Sequence, residues 1–175
     1  VMDYLAQTGL DALKGADMLK AAPQRYQSSV EYANTTLGKK LKDVSAIHTA
    51  DLGTRIFYTE HGGYDTHASQ GNNHPRLLGE VASAVTDFWD DLREHDTDDN
   101  MIMFVFTEFG RRVKENGTGT DHGAGGVSFA IGPRVVGGQH NEYPSMKAED
   151  LREGDLAPDQ DFRGVYTTIL EDWFD

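Results

Sequence analysis

The sequence predicts an α/β fold, a mostly parallel sheet with helices on both faces, and three observations predict it. Residues 55 to 59 (RIFYT) and 101 to 107 (MIMFVFT) have the length and composition of strands. Between them runs one long apolar stripe at helical spacing. Strand, helix, strand is a βαβ unit, and such units build parallel sheets.

The elements follow in chain order. The chain opens at Val1 in a helical pattern, VMDYLAQTGLDALKGADMLK. Leu37, Leu41, Val44 and Ile47 then repeat at helical spacing, with Gly53 placed to end that helix. The short strand Arg55 to Thr59 comes next, and after it the loop HGGYDTH, residues 61 to 67. Pro75 sits where a first helical turn tolerates it, and Leu77, Leu78, Val81, Val85, Phe88, Trp89 and Leu92 form the apolar stripe. Met101 to Thr107 is a continuous apolar run bounded by polar residues, as a parallel strand covered on both faces requires. A third short strand is predicted at Val127 to Ile131 (VSFAI). A polar segment from Gln139 to Gln160 carries Pro144 and Pro158, and a last helix from Asp161 bears Val165, Ile169, Leu170 and Trp173. With no internal repeat, residues 1 to 175 read as a single domain. Because the chain starts inside a helical pattern and stops at DWFD without a capping glycine, it reads as the carboxy-terminal part of a longer protein.

Composition narrows the function. The 175 residues are 38% hydrophobic and 26% charged, with a net charge of -13. A surface so acidic argues against nucleic acid, whose phosphates need a basic face. The absence of cysteine excludes disulfides and thiolate metal sites. No apolar run approaches the roughly 18 residues of a membrane span.

The polar residues group at the strand ends. HGGYDTH follows the first strand, TEFGRR (Glu108, Arg111, Arg112) follows the second, and GTDHG (Asp121, His122) precedes the third. In an open parallel sheet, ligands bind beyond the carboxyl ends of the strands, so these groups are expected to converge. Imidazoles with carboxylates suit zinc, manganese or iron, and three ligands with an open position are the catalytic pattern. Each group also has a plainer reading. Asp65 in a glycine-rich loop makes turns by bonding backbone amides, Glu108 caps a following segment, and Arg111 and Arg112 are solvated charges. His61, His74, His95 and His140 read as surface or capping residues.

GGYDTHASQ, FTEFGRRVKENGTGTDHG and the distal DFRGVY together resemble the DUF1501 family, whose members are similar to sulfatases and belong with the alkaline phosphatase superfamily. The resemblance covers roughly residues 35 to 175. It implies a sulfatase-like fold, here incomplete, and a metal-dependent hydrolase of phosphate or sulfate esters. It also implies the ligands: Asp65 with His67, the strand-end acid Glu108, and the later His122, with Asp121 as a candidate further ligand. The ion would be zinc or manganese, with calcium and iron as other candidates, and the substrate a small anionic ester. Arg111 is the candidate for pairing with the ester oxyanion. The pattern departs from the superfamily at two places, with Asp65-x-His67 in place of Asp-x-x-x-His and Glu108-Phe109 in place of Asp-His. The nucleophile is expected in an amino-terminal segment of the same protein, outside this chain. The resemblance further implies a bacterial protein exported to the periplasm or beyond. The alternative is a non-catalytic metal-binding or interaction protein on a hydrolase-like fold.

Overall fold

The computed structural model of the protein describes residues 2–158 and 160–174. Val1 at the start of the expected first helix, Asp159 in the polar segment and Asp175 at the end of DWFD lie outside the described residues. The chain forms two compact units. One comprises the described residues of Val1–Tyr64 with Pro75–Met101, the other those of Asp65–His74 with Ile102–Asp175.

The first unit is helical. Helix α1 (Met2–Arg25) buries only Ala22. Helix α2 (Thr36–Thr49) starts where the Thr35 side chain accepts a hydrogen bond from the Gly38 amide at 3.0 Å, satisfying a donor the helix cannot use itself. It buries Leu37, Leu41 and Ala46. Helix α3 (Gln70–Glu94), which belongs to this unit from Pro75 onward, buries Leu77, Ala84, Phe88, Trp89 and Leu92, each large apolar side chain contributing about 1.5–3 kcal/mol. Pro75 lies inside α3 rather than in its first turn, because Ser69 receives the amides of Asn72 and Asn73 and starts the helix earlier. Asp91, fully buried on α3, accepts the Tyr26 hydroxyl and, at 2.6 Å, that of Tyr32. His95 stands 3.3 Å from its other oxygen.

The second unit holds the strands, and all of them are short. Strand β1 (Met103–Val105) pairs with β4 (Phe129–Ile131), and β2 (Gly110–Glu115) with β3 (Thr120–Gly123). Both pairings are antiparallel, with Met103 opposite Ile131 and Arg111 opposite His122. Helix α4 (Phe162–Thr168) begins at Asp161, whose carboxylate accepts the Arg163 amide, and passes into a π-helical turn, Ile169–Trp173.

These findings overturn the expected parallel sheet with helices on both faces. The described residues form two small two-stranded antiparallel sheets instead. Residues 55 to 59 join neither sheet, with Ile56 and Tyr58 more than 70% exposed. The run MIMFVFT contributes only three residues of strand, and TDHG, expected as a loop before the third strand, is itself strand β3. The physical reason lies in cover. A parallel sheet survives only when crossover helices of about a dozen residues bury both faces. Among the described residues, the buried hydrophobic side chains all belong to the helical unit, and in the second unit Phe106 and Phe129 stay about half exposed. Short antiparallel pairs closed by tight turns are what such a segment supports. No helix among the described residues is long and apolar enough to cross a membrane.

Candidate metal centre

The site is built from one loop and one hairpin of the second unit. Asn116 to Gly119 turn the chain from β2 into β3, with the Asn116 amide bonded to the Gly119 carbonyl at 3.0 Å and Gly117 at φ +127°, a conformation that favours glycine. Residues 65 to 70 lie against that turn. The Ser69 amide donates to the Thr118 hydroxyl at 3.0 Å and the Gln70 amide to the Thr118 carbonyl at 2.9 Å. The Thr120 hydroxyl donates to the Gln70 side chain at 2.9 Å. Gly119 is buried there, and a Cβ at this position would lie 2.4 Å from the Thr66 carbonyl oxygen and from the His67 carbonyl carbon. Only glycine lets the two backbones approach so closely.

This seating brings Asp65, His67 and His122 together. Nε2 of His122 lies 2.7 Å and Nε2 of His67 lies 3.0 Å from the same oxygen, Oδ1 of Asp65. One ligand-type atom from each of the three falls within 4.8 Å of the others. The two imidazoles stack, with centroids 5.0 Å apart, and Phe109 lies flat under His122 at 4.1 Å. All three side chains are about half exposed or more. The hydrogen bond from His122 chiefly holds the Asp65 carboxyl below the ordinary carboxylate range. Desolvation, the next largest effect, opposes it, while the charges of His67 and Arg111 reinforce it.

Arg111 is fixed beside this group. Its Nη1 donates to the Thr120 carbonyl at 2.5 Å, its Nη2 to the buried Thr66 hydroxyl at 3.4 Å, and its plane covers the Phe109 ring at 5.1 Å. Nη2 lies 3.9 Å from Asp65 Oδ1. Asp121 stands on the far side of the His67 ring, with Oδ1 3.3 Å from Nδ1 and 2.7 Å from the Asn116 side-chain amide. The bond from Asn116, followed by that from His67, holds the Asp121 carboxyl below its ordinary value.

The structure therefore brings Asp65, His67 and His122 to one point, with Asp121 and Arg111 as neighbours. It does not bring Glu108, which is exposed in the turn before β2 and outside the group. Asn116, Gly119 and Thr66 are supporting residues that the sequence does not single out, and Phe109, noted there only as a departure from the superfamily pattern, is a fourth. The dipeptide Asn116-Gly117 was the available signal, since Asn-Gly between extended runs marks a hairpin. Among the other histidines, His61 pairs with Glu80 at 3.1 Å and with the Tyr64 hydroxyl at 2.8 Å, and His95 bonds the Asp91 and Gln27 carbonyls.

The donor set fits a divalent cation. At metal–ligand distances of about 2.0–2.2 Å, ligands sharing one ion sit roughly 3–3.5 Å apart, and the separations of the two imidazoles from Asp65 Oδ1, 2.7 and 3.0 Å, are close to that. Two imidazoles and one carboxylate are a borderline set, suited to zinc, manganese or iron. The sequence model of the family described as "Protein of unknown function (DUF1501)" matches residues 8–154, most of the chain. Neither the curated proteins nor the solved structures include a match.

Proposed function

The chain belongs to the DUF1501 family, and on that premise we propose that it carries the cation-binding part of a metal-dependent hydrolase of phosphate or sulfate esters. One observation carries the reading: two histidines and a carboxylate from separate segments face one point, Nε2 to Oδ1, at 2.7 and 3.0 Å. Asp65 and the two imidazoles hold a zinc or manganese ion, leaving the exposed side open to a small anionic ester. The ion supplies Lewis acidity, neutralising charge on the ester oxygens. Arg111, clamped by Thr120 and Thr66, adds a fixed positive charge beside the same opening. Phe109 and His67 sandwich the His122 ring and keep its Nε2 aimed. The sulfatase-like relationship implied by the sequence motifs belongs to this proposal, as does a nucleophile supplied from outside these residues.

The test has two arms. Zinc and manganese content after equilibrium dialysis is measured for the wild-type chain and for Asp65→Ala, with one stoichiometric ion expected in the first and none in the second. The longest native protein containing this chain is then assayed on an aryl phosphate and an aryl sulfate, with zinc, manganese, calcium or iron added. Binding without turnover on either ester would leave a non-catalytic metal-binding protein, and no binding would remove the centre.

A further inference from the structure

We infer that Asp121 is a positioning residue rather than a ligand: held by Asn116 across the hairpin turn, it accepts the Nδ1 proton of His67 and so presents the Nε2 lone pair of His67 to the cation. The inference rests on the metal-binding reading and deepens it. An imidazole has two nitrogens on opposite flanks of its ring, and here each faces a different carboxylate. Nε2 faces Asp65, 3.0 Å away, on the side shared with His122. Nδ1 faces Asp121, 3.3 Å away, on the other side. An ion bound among Asp65, His67 and His122 is therefore screened from Asp121 by the ring itself, and Asp121 falls outside the group whose ligand atoms gather.

The chemistry fixes the direction of the bond. Both ring nitrogens face a carboxylate, and ionised carboxylates only accept, so it is the cation that decides: once Nε2 gives its lone pair to the ion, the one remaining ring proton lies on Nδ1, where Asp121 accepts it. A carboxylate behind a ligating imidazole fixes the tautomer, orients the ring and raises its basicity. Asp121 is itself held. The Asn116 side-chain amide donates to the same Oδ1 at 2.7 Å, and Asn116 is pinned at the first position of the turn by its backbone bond to Gly119. The hairpin thus does two things at once. Strand β3 supplies His122 as a ligand, and the residue before it reaches the Nδ1 side of His67. His122 is oriented differently, by its stack on Phe109.

Cobalt and zinc titrations of the full chain test this, using wild type, Asp121→Ala, Asp121→Asn, Asn116→Ala and Asp65→Ala. Cobalt absorption reads the number and type of ligands, and competition with a chromophoric chelator reads zinc affinity. Asp121→Ala is expected to lower zinc affinity about 10–100-fold with an unchanged cobalt spectrum and an unchanged melting temperature in chelator. Asp121→Asn keeps an acceptor oxygen and recovers part of the loss, Asn116→Ala shows a smaller loss, and Asp65→Ala alters the spectrum. If Asp121→Ala changes the cobalt spectrum as Asp65→Ala does, Asp121 is a ligand and the inference is wrong. Wild-type zinc affinity in Asp121→Ala also overturns it while leaving the centre intact. Failure of wild type to bind either ion overturns the centre, and this role with it.

Discussion

Replacing Gly119 by alanine tests how the loop and the hairpin are held together. The added Cβ would lie 2.4 Å from the Thr66 oxygen and the His67 carbonyl carbon, and 2.5 Å from the His67 oxygen. Ordinary contacts need roughly 3.5 Å, so the two backbones must separate by on the order of 1 Å. These are main-chain atoms, which no change of rotamer moves aside. The separation strains the bonds from the Ser69 and Gln70 amides to Thr118. Overpacking of this kind costs about 1–3 kcal/mol, and weakening two hydrogen bonds brings the local total to about 2–4 kcal/mol. A displacement of that size at His67 also exceeds the roughly 0.2 Å tolerance of metal ligation, so zinc affinity falls with it. Hydrogen exchange reads the local effect, because the Ser69 and Gln70 amides lose protection by a factor set by that free energy. Gly137→Ala is the control, since its Cβ meets nothing within 4 Å and its effect should stay within about 0.5 kcal/mol. If Gly119→Ala keeps wild-type protection at Ser69 and Gln70 and wild-type zinc affinity, the close approach of loop and turn does not organise the site.

Further outcomes follow from the same geometry. His67→Ala removes a half-exposed side chain from the Asp65 and His122 cluster, so zinc binding falls below detection while the melting temperature in chelator moves by no more than a few degrees. Glu108→Gln, outside the cluster, leaves zinc affinity within about twofold of wild type by the same competition assay. Asp91→Ala takes the acceptor from the Tyr26 and Tyr32 hydroxyls, and urea denaturation should show a loss of about 2–4 kcal/mol. Asp91 also gives a pH signature. Burial works to raise its carboxyl, but the bonds from Tyr26, Tyr32, Ser28 and Ser45 outweigh it and hold the folded value below 3.8. A depressed carboxyl stabilises the fold above its unfolded value, and the contribution is lost as pH falls through the folded one. The stability gap between wild type and Asp91→Asn should therefore shrink below about pH 4, after first widening as pH falls through the imidazole range, because the Asp91 charge also favours protonated His95; urea midpoints at each pH will show both.

Helices α2 and α3 were legible because a repeat of 3.6 residues has one physical explanation when its apolar side is buried, as Leu37 and Leu41 and then Leu77, Phe88 and Leu92 are. The strands were not, because an apolar run of seven residues carries no information about its partner. MIMFVFT fits a covered parallel strand as well as it fits the edge of a small antiparallel pair, and the choice depends on cover supplied from elsewhere in the chain. Asn116-Gly117 did mark a turn, but the register shift between Arg111 and Glu115 that sets Arg111 opposite His122 was not legible in it.

The candidate site divides along the same line. Asp65, His67 and His122 are chosen for the chemistry of their side chains, and that choice is indifferent to topology, so the antiparallel hairpin gathers them as readily as a parallel sheet would. Glu108 is chosen chiefly for its position at the end of a buried parallel strand, and once that strand shrinks to three residues nothing directs its carboxylate toward the others. Asp121 is intermediate. Its residue type suggested a ligand, while its place next to His122 on β3 sends it to the Nδ1 side of His67 instead. If the centre binds a cation, adjacent positions of β3 separate His122, which would face it, from Asp121, which would orient His67.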